Sequence, residues 1–338
     1  MNITAVADQL SLFTLAKEQI QSKSWVVTTL AGSTRGYADG TGTETQLDQP
    51  SGVAMDSSGI LYVTDSSNHL IRKVTPEGEV NTLAGNTYGG YEDATGEEAL
   101  FNYPFGVAVD LFGNVYVADM WNNRIRKITP KGVVSTFAGD GTKGHKNGFG
   151  TKAKFNSLGG IAVDSSGDLY VADHKNHRMR KITPEGEVST FAGDGTKGHK
   201  DGTNEEAQFN YPYGVALDSS GSVYVADRGN HCIRKITPGG EVSTFAGGTE
   251  GYKDGALTAA QFNRPMGVAV DGSGNVYVAD TYNQRIRKIT PEGEVTTLAE
   301  NMIRQFRYPA GVAVDGSGNV FVADTGNNRI RRITPGGW

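Results

Sequence analysis

Residues 106–110 read Gly-Val-Ala-Val-Asp, and residues 115–119 read Val-Tyr-Val-Ala-Asp. The first phrase recurs with small changes, and its copies begin at Gly52, Gly106, Gly160, Gly214, Gly267 and Gly311. Successive copies are 54, 54, 54, 53 and 44 residues apart. A fixed long period indicates one supersecondary unit that is stacked or arranged around an axis. The repeat therefore decides the fold before any single residue is interpreted.

The second unit contains four short runs of strand-forming residues, at 107–109, 115–119, 124–129 and 133–138. Gly113-Asn114 separates the first two runs, and Pro130-Lys131-Gly132 separates the last two. Such residues favour tight turns, because Pro fixes φ and Gly tolerates positive φ. Neighbouring strands joined by tight turns form antiparallel hairpins. Each unit is therefore expected to be a four-stranded meander.

The second strand of this unit is apolar on both faces. Val115 and Val117 point to one face, and Tyr116 and Ala118 point to the other. Both faces of the sheet must therefore be covered. Six four-stranded sheets arranged radially cover both faces of every unit. The sequence predicts an all-β fold, a six-bladed β-propeller of four-stranded antiparallel blades.

The same residues carry a family resemblance. The run Asn-Val-Tyr-Val-Ala-Asp followed by Asn-x-Arg-Ile-Arg-Lys-Ile resembles the NHL repeat. It stands here as Asn275 to Asp280 with Asn283 to Ile289, and in a close variant as Asn319 to Asp324 with Asn327 to Ile333. The resemblance covers roughly residues 25–338 and implies an NHL-type propeller. It implies little about activity, since relatives include RNA-binding domains, sensor domains, amidating lyases and scaffolds.

The ring has a predicted closure. The last unit stops after its third strand, whereas residues 26–31 repeat the fourth-strand phrase ahead of the first unit. We expect residues 26–31 to complete the blade of residues 309–335 through ladder hydrogen bonds.

The N-terminal residues 1–24 belong to no unit, and residues 25–338 form the propeller domain. An amphipathic α-helix is expected at about residues 4–21, because one stripe at helical spacing is apolar: Val6, Leu10, Phe13, Ala16 and Ile20. We expect it to pack against the propeller. A membrane-surface or partner-binding helix is disfavoured because the polar face is not basic, and tag or vector sequence is the remaining alternative.

Composition limits the partners. The formal charge is -5 and only 37% of the residues are hydrophobic. Nucleic acid is disfavoured as a partner, since phosphate binding needs a basic surface, and no apolar run reaches the length of a membrane span. The sequence shows no signal peptide and has one cysteine, which favours a monomer in the cytoplasm. An extracellular location is the alternative if the chain is an excised domain.

Residues that recur in every unit are interpreted as architecture. An Asp ends each second strand, and an Asn and an Arg follow it in each unit; the six are Asp65, Asp119, Asp173, Asp227, Asp280 and Asp324. Six copies favour a turn clamp over a catalytic or metal site. Each linker also carries an apolar residue that we expect to wedge between blades: Leu47, Phe101, Phe155, Phe209, Phe262 and Phe306.

The histidines and the cysteine give no catalytic set. His69, His177 and His231 follow the recurrent Asn, and His145 and His199 lie in duplicated linkers. Amidating lyases of this family bind zinc through several histidines near the axis, but no such cluster can be assembled here. Cys232 is expected to be an inert thiol. No catalytic residue, metal ligand or cofactor is therefore predicted.

Function is sought where the six copies differ. These positions lie before the inner strand and after the recurrent Asp, and both registers meet on the face that carries the linkers, here called the upper face. Large side chains cluster there in the second, fourth and fifth units. The predicted ligand-binding residues are Phe105, Trp121, Tyr213, Arg228, Met266 and Tyr282, with His174 as a polar partner. Packing over the channel mouth is the alternative role for each.

The leading functional hypothesis is a non-catalytic scaffold whose upper face binds a protein, peptide or glycan. A propeller-type lyase or hydrolase with a site at the channel mouth is the second, so enzymatic activity is left open. An RNA-binding propeller is the third. Residues 134–146 recur unchanged as residues 188–200, which also suits a recently amplified or designed propeller that need have no evolved ligand.

Overall fold

A computed structural model describes residues 25–299 and 305–336. These residues form six antiparallel sheets. Each inner strand contacts the inner strands of both neighbouring blades, and the last inner strand contacts the first. The described residues therefore close into a ring, and the predicted six-bladed β-propeller is confirmed.

Each blade runs from an inner strand outwards through a second and a third strand to an outer strand. The inner strands are Pro50–Met55, Pro104–Val109, Leu158–Val163, Pro212–Leu217, Val268–Val270 and Val312–Val314. The second strands are Leu61–Asp65, Val115–Asp119, Leu169–Asp173, Val223–Asp227, Val276–Asp280 and Val320–Asp324. The third strands are Leu70–Val74, Arg124–Ile128, Arg178–Ile182, Cys232–Ile236, Arg285–Ile289 and Arg329–Pro335. The outer strands of the first five blades are Glu79–Gly85, Val134–Ala138, Glu187–Ala192, Glu241–Gly247 and Glu294–Thr297.

Short elements complete the blades. Two-residue strands in the linkers pair with four outer strands; they are Gly40–Thr41, Gly148–Phe149, Gly202–Thr203 and Gly255–Ala256. A 3-10 turn follows each second strand: Ser66–Asn68, Met120–Asn122, His174–Asn176, Arg228–Asn230, Thr281–Asn283 and Thr325–Asn327. Further 3-10 turns lie in the linkers: Gly42–Glu44, Gly96–Glu98, Gly150–Lys152, Asn204–Glu206 and Leu257–Ala259.

The predicted closure of the ring is confirmed. Trp25–Ala31 is the outer strand of the sixth blade and pairs antiparallel with the third strand of that blade, from Trp25 opposite Pro335 to Ala31 opposite Ile330. The N-terminal strand, which leads into the first blade, is thus hydrogen-bonded into the last blade. The helix expected at residues 4–21 lies outside the described residues.

The recurrent glycine of each inner strand is required by the approach of the next blade. A Cβ atom built on Gly106 would lie 2.8 Å from Cα of Gly160 and 2.5 Å from the carbonyl oxygen of Gly159. The same clash recurs around the ring, where Gly214 faces the carbonyl of Met266 and Gly311 faces that of Ser51. Only glycine lets the inner strands come this close.

The recurrent Asp is a buried clamp, as predicted. Oδ1 of Asp65 accepts the backbone N–H of Asp48 at 2.6 Å, and Oδ2 accepts from Asn68 and Arg72, each at 2.8 Å. Arg72 also contacts Asp39 in the same linker. Equivalent pairs join Asp119 to Arg126, Asp173 to Arg180, Asp227 to Arg234 and Asp280 to Arg287. Each clamp ties a linker to its blade. The linker wedges are also confirmed, since Leu47 and its phenylalanine counterparts are buried.

Candidate functional site

The first residue after the recurrent Asp links adjacent blades in four of the six units. Its side chain donates a hydrogen bond to a proline carbonyl of the next blade: Ser66 to Pro104, His174 to Pro212, Thr281 to Pro309 and Thr325 to Pro50, over 2.6–3.2 Å. In His174 the proton lies on Nδ1, since a carbonyl oxygen only accepts. Burial lowers the pKa of His174 to about 4, so its imidazole is neutral at pH 7.

Two units depart from this pattern. Met120 of the second blade is apolar and packs over the channel. Arg228 of the fourth blade is half-buried, and its Nε has no hydrogen-bond partner among the described residues. The first residue after the recurrent Asp therefore links two blades in four units and does not do so in the other two.

A cluster that we call the channel cap lies at the upper end of the channel that the inner strands line. Its members are Phe105, Met120 and Ala310, which are buried, with Tyr103, Tyr213 and Met266 packed against them. The rings of Phe105 and Tyr213 meet edge to face with centroids 4.5 Å apart. The cap thus brings together three of the predicted ligand-binding residues, Phe105, Tyr213 and Met266. Their ligand contact remains a prediction, and their packing is observed.

His174 lies beside the cap in the third blade. Its ring contacts Tyr213 at 4.7 Å and Tyr211 at 5.1 Å between centroids. Burial raises the pKa of the Tyr213 phenol well above its usual range, so that hydroxyl stays protonated. Neither group is poised to move protons near neutral pH.

Trp121 and Tyr282 are the exposed members of the predicted set, with 59% and 41% of their surface accessible. Each occupies the second position after the recurrent Asp. Their backbone N–H groups donate to Asn102 and Asn263 in the preceding linkers, at 3.1 Å in both cases. These bonds hold the backbone while the rings face solvent. Trp121 stacks on Tyr103 with centroids 4.8 Å apart and planes at 14°.

Arg228 connects the cap to the fifth blade. Its guanidinium carbon lies 5.9 Å from the ring centre of Tyr213 and 5.7 Å from that of Tyr282. Arg264 lies 4.9 Å from the same Tyr282 ring, and Tyr308 of the sixth blade packs against it at 5.7 Å. Aromatic rings and guanidinium groups thus form one surface from the second blade to the sixth, and all seven predicted residues lie on or beneath it.

Sequence reasoning missed one register of this surface. In each unit, one residue with a left-handed backbone lies two positions before the variable residue at the start of the inner strand. These six residues have φ of 48–58° and are Gln49, Tyr103, Ser157, Tyr211, Arg264 and Tyr308. Four of these side chains, Tyr103, Tyr211, Arg264 and Tyr308, add to the upper face. The available signal was that this position differs between units although it adjoins nearly invariant residues.

The histidines that follow the recurrent Asn hold these left-handed residues. Nδ1 of His69 accepts the backbone N–H of Tyr103 at 3.0 Å, and Nδ1 of His177 accepts that of Tyr211 at 3.1 Å. His231 accepts that of Arg264 at 3.3 Å. Burial lowers the pKa of all three imidazoles. These three histidines are therefore structural links between blades.

The described residues hold no group of three or more His, Cys, Asp or Glu side chains that could bind a metal ion. Cys232 is buried, and burial raises the pKa of its thiol well above its usual range. A protonated buried thiol is a poor nucleophile. Within ranges 25–299 and 305–336, no helix is long and apolar enough to cross a membrane.

Comparison with known families and proteins identifies the repeat. A family model described as "NHL repeat" matches residues 47–74, 155–182, 209–236, 262–289 and 306–333. Protein SUPPRESSOR OF QUENCHING 1, chloroplastic, of Arabidopsis thaliana is 30% identical over 287 residues, which are 78% of this chain and 27% of that protein. NHL repeat-containing protein 2 of Homo sapiens is 28% identical over 309 residues, 80% of this chain and 42% of that protein. The chain spans less than half the length of these relatives.

Solved structures share the fold. An auxiliary nutrient binding protein of Bacteroides thetaiotaomicron aligns with a TM-score of 0.66 and 17% identity, covering 92% of this chain and 76% of that one. A gluconolactonase of Xanthomonas campestris aligns with a TM-score of 0.61 and 14% identity, covering 86% of each chain. A streptogramin B lyase aligns with a TM-score of 0.56 and 15% identity, covering 92% and 97%. At these identities the likeness shows the fold alone.

Proposed function

Because this chain belongs to the NHL-repeat family of β-propellers, whose fold carries unrelated activities, we propose its function from the surface that its six units do not share. It is a non-catalytic interaction module, and it holds a peptide segment of a partner protein across the channel cap on the upper face. The observation that carries this proposal is the pair of exposed rings, Trp121 and Tyr282, presented by rigid backbone around an apolar cap.

These two rings are not part of the repeated architecture. At the same register the other units have small, polar or charged residues: Ser67, Lys175, Gly229 and Gly326. The backbone hydrogen bond of the register is kept with or without a large side chain, as at Gly229 and Gly326. The rings thus have no part in that bond, and exposed Trp and Tyr are the residue types that anchor protein interfaces.

The shape of the surface favours a peptide over a small substrate. Phe105, Met120 and Ala310 are buried in the cap, so the centre of the upper face is filled by apolar side chains. This apolar centre, to which Met266 also contributes, suits the apolar side chains of a peptide that lies across it. An extended segment with two apolar or aromatic side chains suits the two rings and the surface between them.

The geometry argues against the enzymatic alternative. A lyase or hydrolase needs an acid and a base that converge on the substrate. His174 is buried, bonded to Pro212 and covered by Tyr213. The other histidines beside this surface, His69, His177 and His231, are engaged as acceptors of backbone N–H groups. The proposal is therefore a binding function without chemistry.

A displayed library of random 12-residue peptides tests the proposal. Peptides selected on the wild-type chain are rebound to Trp121→Ala, Tyr282→Ala and, as the matched control, Phe112→Ala. Phe112 is an aromatic residue with 84% exposure in a turn on the opposite face. Loss of about 2 kcal/mol of binding energy is expected for each upper-face variant, as for an aromatic interface anchor.

The control variant is expected to bind like the wild type. Selected peptides that lose binding in Phe112→Ala and keep it in Trp121→Ala would place the interaction on the lower face and contradict the proposal. Failure to enrich any peptide would contradict it as well.

A further inference from the structure

Two arginines on the upper face differ from those that hold the blades together. The clamp arginines of the first five blades, such as Arg72 and Arg287, are fully buried and each is paired with two side chains of the fold. Arg228 and Arg264 form no ion pair with any acidic side chain of the described residues. Their positive charges are therefore not neutralised by the part of the fold that the structure describes.

Among the described residues, Arg228 also lacks the hydrogen bond to the next blade that four of its counterparts make. It stands at the register where Ser66, Thr281 and Thr325 donate to the proline carbonyl of the next blade. A hydroxyl serves that purpose in three blades, so the fold has no need of a guanidinium here. Arg228 is nevertheless half-buried, and it has no ion pair among the described residues. Burial of an unpaired charged group is costly, and a bound anion would offset that cost.

The two guanidinium groups share one aromatic ring. Arg264 lies 4.9 Å and Arg228 5.7 Å from the ring centre of Tyr282, and Arg228 also lies 5.9 Å from that of Tyr213. An aromatic ring attracts the cation but does not use up its N–H donors. Each guanidinium therefore keeps a planar fork of donors, which matches the two oxygens of a carboxylate.

We infer that Arg228 and Arg264, held by Tyr282 and Tyr213, form a subsite for a carboxylate group. If the upper face binds a peptide as proposed above, this subsite selects an Asp, a Glu or a C-terminal carboxylate next to an aromatic or apolar side chain. The inference rests on the proposed function for the kind of ligand, and on the two unpaired arginines for its charge.

A carboxylate fits better than a run of phosphates. Affinity for a nucleic acid comes from neutralising many phosphates at once, which requires an extended basic track. The chain carries a formal charge of -5, and Glu250 lies beside His231 in the linker that leads to Arg264. A single planar anion is attracted mainly by the nearby arginine pair, whereas a polyanion is also repelled by the surrounding negative charge.

Two small probes test the subsite directly on the full chain. N-acetyl-L-tryptophan carries a ring and a carboxylate, and N-acetyl-L-tryptophanamide carries the same ring without the charge. Titration of the 15N-labelled chain, followed by the NMR signal of the indole N–H of the exposed Trp121, gives the affinity of each. Wild type is expected to bind the acid about tenfold more tightly than the amide, as charge-assisted hydrogen bonds allow.

The ratio of the affinities for the acid and the amide is expected to fall to about one in the double variant Arg228→Gln/Arg264→Gln, because the charge-assisted hydrogen bonds to the carboxylate are lost. The control Lys131→Gln/Lys152→Gln removes two exposed charges elsewhere and keeps the preference. Equal affinity of the two probes for wild type would overturn the inference, as would a preference that persists without the two arginines. A single-stranded decauridylate that binds wild type more tightly than the acid, and loses binding in the arginine variant, would overturn it in favour of phosphate.

The outcomes separate this inference from the proposed function. A clear acid preference together with no selectable peptide would contradict the peptide-binding function and leave the carboxylate subsite in place. Peptides that depend on Trp121 and Tyr282 but bind equally to the arginine variant would support the function and contradict the subsite.

Discussion

The ring of Phe105 packs edge to face against the ring of Tyr213, with planes at 88°, although the two residues stand two blades apart. The blade between them carries Gly159 at the equivalent position, so no side chain separates the rings. This contact spans the mouth of the channel and is the centre of the channel cap. The small residue of the third blade therefore leaves room for Phe105 and Tyr213 to meet.

The first prediction concerns this contact. Phe105→Leu and Tyr213→Leu are each expected to lower the free energy of unfolding, and the double variant is expected to lose less than their sum. The coupling expected for an aromatic pair is about 1 kcal/mol, measured by urea unfolding in a double-mutant cycle. A cycle between Phe105 and the exposed Tyr282 serves as the control and should show no coupling. Equal coupling in both cycles would show that the ring contact contributes nothing specific.

The second prediction concerns the glycines of the inner strands. Gly214→Ala is expected to destabilise the chain by about 3 kcal/mol, because its Cβ would overlap the carbonyl of Met266 and the inner strands would have to separate. Gly272→Ala is the control, since a Cβ at that lower-face turn meets no atom within 4 Å. Thermal unfolding of both variants checks this. A similar melting temperature for the two would refute the explanation given for the recurrent glycine.

The third prediction concerns pH. Burial lowers the pKa of His69, His177 and His231 below the usual 6.5, so the unfolded chain takes up protons before the folded chain does. The contribution of these three residues to stability is therefore complete above pH 6.5 and decreases as the pH falls below that value. Protonation of Nδ1 also removes the acceptor for the next blade.

The matched variant replaces all three histidines with Asn. In two other blades an asparagine at this position, Asn123 or Asn328, accepts the equivalent backbone N–H through its side-chain oxygen. The variant is expected to lose less unfolding free energy between pH 7 and pH 5 than the wild type, by up to about 1.4 kcal/mol per residue for each pH unit. His145, His174 and His199 are present in both proteins, so the difference isolates the three histidines that link blades. Identical pH profiles would contradict this role.

The fourth prediction concerns the closure of the ring. Deletion of residues 1–31 removes the outer strand of the sixth blade and should lower the melting temperature sharply, because that blade would lose a full ladder of hydrogen bonds. Deletion of residues 1–24 leaves Trp25–Ala31 in place and serves as the control. An unchanged melting temperature after the longer deletion would mean that the strand does not fasten the ring.

The repeat made the architecture predictable, because each feature that recurs in six units points to a backbone requirement. The strand order, the closure by residues 26–31 and the structural role of Asp65 and its counterparts all follow from it. The face that carries the variable residues could also be inferred. Which of these residues pack together and which face solvent could not be inferred, since Phe105 and Tyr213 meet across a third blade.

Two further properties of the site depend on contacts that are remote in sequence. His174 is bound to Pro212 of the next blade, which no local pattern indicates. At Tyr103 and Tyr211, residues with a left-handed backbone donate their N–H groups to His69 and His177 of the preceding blades. Both properties decide which side chains reach solvent, and both require the assembled ring.

The most direct test of the central claim is to locate the bound peptide on the chain. A peptide selected on the wild-type protein is synthesised with a photoreactive benzoylphenylalanine at its aromatic position, cross-linked and mapped by mass spectrometry. Binding on the upper face predicts cross-links within residues 102–105, 120–123, 211–213 and 281–284. Cross-links concentrated in the lower-face turn at residues 110–114, or along the outer strands, would contradict the account.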